Sequence, residues 1–241
     1  GEIFITHARA QIHDMERVKS QISDLSGIRR GSVSIACSQA LLPYFLPQQV
    51  TEYRAKHPGV SFGVHLRDRA EAEKAILEMV ADLAIVFEPV RMAEFQTIHA
   101  VPQQVHAVLP ADHPLAQRDV LRIKECMLYP VALPTRAYGV RHLVERSLVD
   151  ANFSFEPVVE SDSFEYLRYH AAAEGIISFQ IPIGLPADGV IPGVVKRPID
   201  VRDVPLGHIY IGQLKGRTLP VAVARFVEQI VKALETSYSS L

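Results

Sequence analysis

Two small polar residues interrupt a strand-like pattern near the beginning of the chain. Residues 33–37 are small or β-branched, as in a buried strand, and Ser38 and Gln39 follow them directly. A hydroxyl group and the backbone N–H groups that begin a helical turn can hold an anion, because the positive end of the helix dipole favours negative charge. The residue types therefore predict that Ser38 and Gln39 bind the anionic group of a ligand.

A second interpretation of Ser38 is helix capping. Pro47 lies nine residues beyond Ser38, in the body of the next predicted helix, so Ser38 is too distant to cap that helix. Capping by Ser38 is expected only if a short extra turn begins at Gln39.

Similar residues stand at the ends of the other predicted strands. Arg67 follows the second strand, Phe87 ends the third, and the later candidates precede helices. Because ligands of parallel sheets bind at the carboxyl ends of the strands, these positions predict a small-molecule site. The candidate ligand contacts are Ser38, Gln39, Arg67, Phe87, Thr135, Arg136, Tyr138 and Ser161.

Several candidates also have a purely structural interpretation. Ser161, or Asp162 or Ser163 beside it, is able to N-cap the next predicted helix. Arg67 and Arg69 are able to pair in water with the nearby glutamates Glu71 and Glu73, where such pairs contribute little.

Signatures of enzymes and of metal sites are missing from the sequence. It has no nucleophile-elbow, phosphate-loop or dinucleotide-loop motif, and its ten histidines show no metal-ligand spacing. Cys37 beside Ser38 is a candidate nucleophile, which we interpret as a packed core thiol. The sequence therefore predicts no catalytic residue, no metal ligand and no cofactor.

Strand and helix patterns alternate through both halves of the chain. Residues 32–89 alternate strand, helix, strand, helix, strand, which predicts parallel strands with right-handed crossovers. Residues 129–182 repeat the alternation, and a strand and a closing helix after residue 207 return to the first lobe. The predicted fold class is α/β, with two similar α/β lobes joined by two crossover strands and a cleft between them.

Composition limits the partners and the compartment. The 241 residues carry a net charge of −2, whereas a surface that grips DNA usually has a basic excess. The chain alone is therefore not expected to bind nucleic acid. Its two cysteines fit a reducing compartment, and no apolar run approaches a membrane span. We expect a cytoplasmic location and no membrane partner.

Residues 5–26 have the pattern of one amphipathic helix, and Gly27 fits its C-terminal end. Such a helix either lies on its own domain or associates with a second copy. We favour self-association, because residues 24–32 separate the helix abruptly from the first predicted strand. The apolar positions, at steps of three and four, are Ile5, Ala8, Ile12, Met15, Val18, Ile22 and Leu25.

Segments spread through most of the chain resemble the effector-binding region of LysR-type transcriptional regulators. They include the first strand with its serine and the later Leu46-Pro47, and the starts of both helices in the second half. The matching segments, in order, are RRGSVSIACSQALLPYFLP, FLPQQVTEYRAKHPGV, ADLAIVFEP, VLPADHPLA, TRAYGVRHLVER, VVESDSFEYLRYHAAAEGIISF and RTLPVAVARFVEQI.

The resemblance implies a type 2 periplasmic-binding-protein-like fold, with two Rossmann-like subdomains joined by two crossover strands. It also implies that the protein forms dimers or tetramers. It implies that DNA is bound only by an N-terminal winged helix-turn-helix absent from this chain. The implied effector is a small anionic metabolite in the interlobe cleft, with Ser38 and Ser161 as hydroxyl contacts and Gln39, Arg136 and Tyr138 in the lining loops. The implied boundaries are a linker helix at 1–30, regulatory subdomain I at 31–102 and 208–241, and regulatory subdomain II at 103–207.

Four positions depart from the family pattern. Asp68 stands where a glycine is usual, between two arginines, and Phe87 is larger than many residues found there. Both departures change the size and charge of the expected pocket, so the usual effectors of the family are not assumed. Met79 replaces a usual glycine, and Gln180 replaces a frequent proline.

Two other functions stay open. A solute-binding protein for transport shares the two-lobed fold, but it is expected to have a secretion signal and to begin near the first strand rather than with an amphipathic helix. An enzyme that uses Cys37 is the less favoured alternative.

Overall fold

The computed structural model describes residues 30–150, 153, 155–186 and 191–238, together with residues 1, 4, 5, 8, 11, 12, 15 and 18. The chain divides into two units. Unit 1 comprises residues 1–38, 45–101 and 209–240, and unit 2 comprises residues 39–44 and 102–208. Each unit has a mixed α/β architecture with its own sheet, which confirms the predicted fold class.

Unit 1 is built on a five-stranded sheet. Its strands are β1 (Gly31–Cys37), β2 (Val60–Leu66), β3 (Leu83–Phe87), β4 (Phe95–Gln103) and β10 (Gly207–Leu214). The strand order is β2-β1-β3-β10-β4. Strand β1 lies parallel to β2 and β3, as the alternating pattern predicts, and β10 lies antiparallel to β3. The chain passes from unit 1 to unit 2 within β4 and returns within β10.

The helices of unit 1 are α1 (Phe45–Lys56), α2 (Arg69–Leu77) and α6 (Val221–Tyr238). All five residues of β3 are buried, as expected for a strand covered on both faces. Tyr53 on α1 joins the layers of this core, because its ring packs edge-on against Phe62 and Phe226. Its hydroxyl donates to the carbonyl of Ala222 at 2.8 Å, so the phenol buries no unsatisfied group.

Unit 2 is built on a second five-stranded sheet, in the order β7-β6-β8-β5-β9. Its strands are β5 (His106–Pro110), β6 (Val131–Pro134), β7 (Val159–Ser161), β8 (Ile177–Gln180) and β9 (Val194–Pro198). Strand β6 lies parallel to β7 and β8, whereas β5 lies antiparallel to β8 and β9.

The helices of unit 2 are α3 (Ile123–Cys126), α4 (Gly139–Asp150) and α5 (Phe164–Glu174). Helix α4 buries the four apolar residues that its periodicity predicts to face inward, Val140, Leu143, Val144 and Leu148. Helix α5 ends at Gly175, whose φ of 72° is the left-handed C-cap that glycine adopts without steric cost. Short 3-10 turns occupy Gln39–Leu41, Pro114–Gln117 and Pro182–Gly184.

Residues 39–44 group with unit 2, although they lie between two segments of unit 1. The 3-10 turn Gln39–Leu41 packs on the turn Pro182–Gly184. A Cβ placed on Gly184 would lie 3.1 Å from Ala40, so the absence of a side chain at Gly184 permits the close approach. The sequence pattern places residues 31–102 together and gives no sign of this arrangement.

The predicted helix over residues 5–26 falls only partly within the described residues. Residues 4, 5, 8, 11, 12, 15 and 18 have helical backbone. The rest of that helix, including Ile22, Leu25 and the predicted stop at Gly27, lies outside the described residues. Five apolar side chains in this segment are exposed: Phe4, Ile5, Ile12, Met15 and Val18. None of the helices in the described part of the chain is long and apolar enough to cross a membrane.

Candidate functional site

In unit 1, three neighbouring parallel strands end at candidate residues. The backbone N–H of Ser38, just after β1, donates to the carbonyl of Ile85 on β3 at 3.1 Å. The N–H of Arg67, just after β2, donates to the carbonyl of Cys37 at 3.0 Å. Phe87 ends β3 at the same sheet edge. The structure therefore brings Ser38, Arg67 and Phe87 together at the carboxyl ends of the parallel strands of unit 1.

The side chains of these three residues differ in what they offer a ligand. Ser38 is 9% exposed, and its hydroxyl has no hydrogen-bond partner among the described residues. The guanidinium of Arg67 donates to the carbonyl of Leu66 at 2.7 Å. Phe87 is buried. Ser38 thus offers a hydroxyl, and the Arg67 guanidinium keeps N–H donors beyond the one that its own chain accepts.

A short turn does begin at Gln39, the condition under which Ser38 could act as a cap. The turn is a 3-10 helix of three residues, Gln39–Leu41, and the main helix α1 starts later, at Phe45. Within the described residues the Ser38 hydroxyl accepts no N–H from this turn. The capping interpretation of Ser38 therefore has no hydrogen bond to support it.

In unit 2, the backbones of Thr135 and Ser161 meet where the neighbouring strands β6 and β7 end. Pro134 is paired with Ser161 in the parallel register, and the N–H of Thr135 donates to the carbonyl of Ser161 at 3.2 Å. The carbonyl of Thr135 then accepts the N–H of Tyr138 at 3.1 Å, which forms the turn that leads into α4. The hydroxyl of Thr135 makes no hydrogen bond to another described residue.

Helix α5 is capped by Ser163 and not by Ser161. The Ser163 hydroxyl accepts the N–H of Tyr166 at 3.1 Å, with Ser163 in the extended conformation typical of an N-cap. The Ser161 hydroxyl accepts the N–H of Ser163 at 3.1 Å. Since a hydroxyl both donates and accepts, Ser161 keeps its O–H proton for an acceptor on a ligand.

The side chain of Gln39 forms hydrogen bonds with the backbone at the N-terminal end of α5. Its Oε1 accepts the N–H of Phe164 at 2.7 Å, and its Nε2 donates to the carbonyl of Asp162. Gln39 and Ser163 therefore accept N–H groups in the first turn of α5, where the sequence predicts that a ligand anion binds. The hydroxyls of Thr135 and Ser161 are therefore better placed than those N–H groups to bind a ligand in unit 2.

Arg136, in the turn before α4, belongs to an ion-pair cluster that joins this turn to α4 and β7. Its side chain is 74% exposed, and its Nη2 lies 3.2 Å from Glu145. Buried Arg141 lies 2.7 Å from the same carboxylate and 3.0 Å from Glu160. The sequence-based reasoning omitted Arg141 and Glu145, although their spacing of four residues is a known signal of pairing on a helix.

The pKa of the Glu145 carboxyl is set by two opposing effects. Partial burial raises this pKa, but hydrogen bonds from Arg141 and Arg136 outweigh the burial and hold it below its ordinary value. The hydrogen bond that Arg136 donates to Glu145 also raises the pKa of the Arg136 guanidinium. An incoming anion at Arg136 therefore competes with Glu145 for that guanidinium.

Tyr138 forms part of the packed interior beside this group. Its side chain is buried, and its ring lies 5.0 Å from the ring of Phe164, measured between centroids, at a tilt of 58°. The tyrosine thus packs against the first residue of α5, the same residue that Gln39 binds through the backbone.

Both cysteines are core thiols. Cys37 is fully buried, and desolvation raises its pKa to about 12. Cys126 is also fully buried, with burial the main cause of its pKa of about 12. Because the thiolate is the reactive form, this environment opposes nucleophilic chemistry at Cys37. In the part of the chain that the structure describes, no three His, Cys, Asp or Glu side chains are grouped to hold a metal ion.

A family model described as the LysR substrate binding domain matches residues 26–235. The chain is 22% identical over 213 residues to the HTH-type transcriptional regulator CysB of Burkholderia cenocepacia, spanning 87% of this chain and 65% of that protein. It is 20% identical over 238 residues to the HTH-type transcriptional activator CmpR of Synechocystis, spanning 95% of this chain and 77% of that protein.

Solved structures share the fold at low identity. The effector binding domain of QuiR in complex with shikimate has a TM-score of 0.74 at 15% identity, covering 87% of this chain and 99% of that one. The CcmR regulatory domain of Synechocystis PCC6803, in complex with 2-PG, has a TM-score of 0.74 at 20% identity and covers 86% and 99%. HinK, a LysR family regulator of Pseudomonas aeruginosa, has a TM-score of 0.74 at 18% identity and covers 93% and 78%.

Proposed function

The chain belongs to the LysR substrate-binding domain family, and on this basis we propose that it is the effector-sensing and self-associating module of a transcriptional regulator. The family match over residues 26–235 carries the proposal. In the proposed full-length protein a winged helix-turn-helix outside this chain binds DNA, in a cytoplasmic setting. The proposal gives the chain a regulatory role without catalysis, and its relatives CysB and CmpR are transcriptional regulators.

The proposed mechanism is a shift between conformations. A ligand changes the equilibrium between two arrangements only by the difference in its affinity for them. The effector must therefore contact groups whose positions differ between the arrangement that favours DNA binding and the one that does not.

We propose a small anionic effector, bound through hydroxyl groups at the strand ends. In unit 2 the hydroxyls of Thr135 and Ser161, at the ends of neighbouring strands, support this, because Ser161 keeps its proton for a carboxylate or phosphate oxygen. In unit 1 the Ser38 hydroxyl, which bonds to none of the described residues, supports it in the same way. The domain structure of QuiR holds shikimate, a carboxylic acid, which fits this chemistry. The remaining proposed contacts are Gln39, Arg67, Phe87, Arg136 and Tyr138.

Titration calorimetry against a panel of small carboxylic and phosphorylated acids, with shikimate among them, tests the ligand class. We expect saturable binding of one or more anions and no binding of their amide or alcohol analogues. Tight binding of a neutral or cationic compound from a parallel panel would refute the anionic assignment while leaving the regulatory role intact.

The gene region upstream of this chain distinguishes regulation from transport. A helix-turn-helix sequence in the same reading frame is the expected result. A secretion signal placed directly before the first strand would instead identify a solute-binding protein.

A further inference from the structure

Both backbone groups of Phe164 are bound by glutamine side chains from other segments of unit 2. The N–H of Phe164 donates to Oε1 of Gln39 at 2.7 Å, and its carbonyl accepts a hydrogen bond from Nε2 of Gln180, on β8, at 2.9 Å. Phe164 is the first residue of α5 and follows Ser163, the N-cap of that helix. The two glutamines therefore fix the peptide groups through which the chain enters α5.

The amide of Gln180 also binds a buried cation. Its Oε1 accepts a hydrogen bond from Nη1 of Arg168 at 2.9 Å, and the two residues are only 1% and 5% exposed. Because a guanidinium only donates and a backbone carbonyl only accepts, this position needs a side chain that has both an acceptor and a donor. An ionised glutamate accepts from Arg168 but has no donor for Phe164, and an apolar side chain has neither. Glutamine meets both requirements.

Arg168 connects this contact to the turn that packs on residues 39–44. Its Nη1 also donates to the carbonyl of Gly184 at 3.1 Å. Gly184 lies against Ala40, the neighbour of Gln39, and all these residues belong to unit 2. The contacts therefore close a ring, and in a densely packed interior a shift of one member moves its neighbours. The ring runs through Phe164, Gln180, Arg168, Gly184, Ala40 and Gln39 and returns to Phe164.

The ring adjoins two residues that are proposed to contact the effector. The Ser161 hydroxyl accepts the N–H of Ser163, which lies two peptide groups before the carbonyl that Gln180 binds. The ring of Tyr138 packs against the ring of Phe164. The position of the Ser161 hydroxyl is thus tied to the position of Phe164.

We propose that Gln180 and Arg168 are positioning residues of the effector site, which fix Phe164 from the interior of unit 2 and thereby hold the Ser161 hydroxyl in place. The proposal rests on the proposed function, because it takes Ser161 as a contact of the anionic effector. A hydrogen bond weakens when its donor leaves the favoured distance and angle, so a shift of Phe164 lowers the affinity. Neither positioning residue has to touch the ligand.

Amide hydrogen exchange in the Gln180→Glu variant tests the ring without any ligand. The new carboxylate keeps an acceptor for Arg168 but has no donor for the Phe164 carbonyl. We expect the N–H groups of Ser163 and Phe164 to exchange about three- to tenfold faster. The N–H of Ile177, on the same strand as the substitution, should keep its rate. Unchanged rates, or equal acceleration at all three N–H groups, would overturn the proposal.

Calorimetry with shikimate and with inorganic phosphate as probes tests the effect on binding. We expect Gln180→Glu to weaken binding about three- to tenfold, and to have no further effect once Ser161→Ala is present. Gln103→Glu is the matched control and should retain the affinity. Gln103 is equally buried, and its Nε2 also donates to a backbone carbonyl, that of Pro102, at 2.9 Å.

Two results of the calorimetry would contradict the positioning role. One is equal affinity of Gln180→Glu and the unsubstituted chain, and the other is strictly additive losses in the double variant with Ser161→Ala. Absence of binding of every acid in the panel would count against the proposed effector class, while the exchange rates still decide whether Gln180 positions Phe164.

A second variant perturbs the ring from its opposite side and leaves the buried arginine intact. Gly184→Ala places a methyl group 3.1 Å from Ala40, so Ala40 and the adjacent Gln39 have to shift. The N–H of Phe164 should again exchange faster, relative to that of Ile177. If Gln180→Glu does not fold, this variant decides the matter, and an unchanged exchange rate at Phe164 would overturn the proposal.

Discussion

The Ser161 hydroxyl combines a structural contact with an unused donor, which makes its proposed role testable. Ser161→Ala removes the proton that a ligand oxygen would accept, and a hydrogen bond to a charged group contributes about 1.5–3 kcal/mol. We therefore expect the Ser161→Ala variant to bind any anion found by calorimetry about tenfold or more weakly than the unsubstituted chain. Ser38→Ala should lower the affinity in the same direction.

Ser163→Ala is the matched control, because it removes a neighbouring hydroxyl whose acceptor role is the N-cap of α5. This variant should lose about 1 kcal/mol of stability and retain its affinity. If Ser38→Ala and Ser161→Ala both bind the anion as tightly as the unsubstituted chain, the assigned contacts are wrong.

The carboxyl group of Glu145 should make part of the stability dependent on pH. Its pKa in the folded chain lies below the ordinary value, because the hydrogen bonds from Arg141 and Arg136 outweigh the opposing effect of burial. The ionised group therefore stabilises the fold above the unfolded-state pKa, and this contribution is lost as the pH falls through the folded-state pKa. Arg136→Ala should raise the pKa of Glu145 towards its ordinary value.

Carbon-detected NMR titration of the Glu145 carboxyl measures this change directly. Chemical denaturation at neutral and acidic pH gives the thermodynamic counterpart, and Glu145→Gln should reduce the acid-induced loss of stability. A titration curve of Glu145 that is the same with and without Arg136 would show that the ion pair has no influence in solution.

Sequence patterns located the candidate residues at strand ends but not the partners of their side chains. Ser38, Thr135 and Ser161 are predictable because strand periodicity ends just before or at each of them. The bond between Gln39 and the N–H of Phe164 joins residues 125 positions apart, and such a distance in sequence carries no local signal. The sequence also gives no sign that Glu145 competes with a ligand for Arg136. This ion pair depends on how the turn after β6 folds back on α4.

At the scale of secondary structure, β10 depends on a glycine that leaves room for an aromatic ring. A Cβ on Gly212 would overlap the ring of Phe95, at the start of β4. Gly212→Ala should destabilise unit 1 by about 1–3 kcal/mol, because the ring has to move from a packed position. Urea denaturation of the variant measures the loss.

Two further variants isolate the cause of that loss. Gly63→Ala, in β2, meets only side-chain atoms at 3.1 Å or beyond and should cost less. Combining Gly212→Ala with Phe95→Leu should recover part of the stability, since the smaller side chain relieves the overlap. Strictly additive losses in the double variant would show that the two positions do not interact.

The helices and central strands can be predicted from the periodicity of apolar residues in the sequence, whereas the edge strands of the sheets cannot. The consecutive apolar residues of β3 and the four inward positions of α4 made these elements readable from the sequence. Strand β9 was missed, because all five of its residues are half-buried and their alternation is weak. An edge strand is specified by the neighbour it pairs with, here β5, more than by its own pattern.

At the scale of the whole molecule, the exposed apolar residues near the start of the chain bear on assembly. Phe4, Ile5, Ile12, Met15 and Val18 are exposed on helical backbone, and an apolar surface of this kind commonly marks an interface. We expect the chain to form a dimer or larger assembly at micromolar concentration, as measured by analytical ultracentrifugation.

Substitutions in this segment test the source of the association. Ile12→Glu and Met15→Glu should weaken self-association, because each places a charge among apolar contacts. Gln11→Glu adds the same charge at a polar, exposed position and should change the association little. A clean monomer of the unsubstituted chain would refute the proposed role of the segment.

The division of the chain between the units also fixes the order in which they become complete during synthesis. Unit 2 needs residues 39–44 and 102–208, so the ribosome has made all of it once residue 208 is added. Unit 1 begins earlier in the chain, but it is incomplete until most of β10 and all of α6 have been synthesised. Because β10 lies between β3 and β4, those two strands keep unpaired edges until β10 has been synthesised. The unit that starts first therefore closes last, and its open sheet is the part of the nascent chain most in need of protection from aggregation.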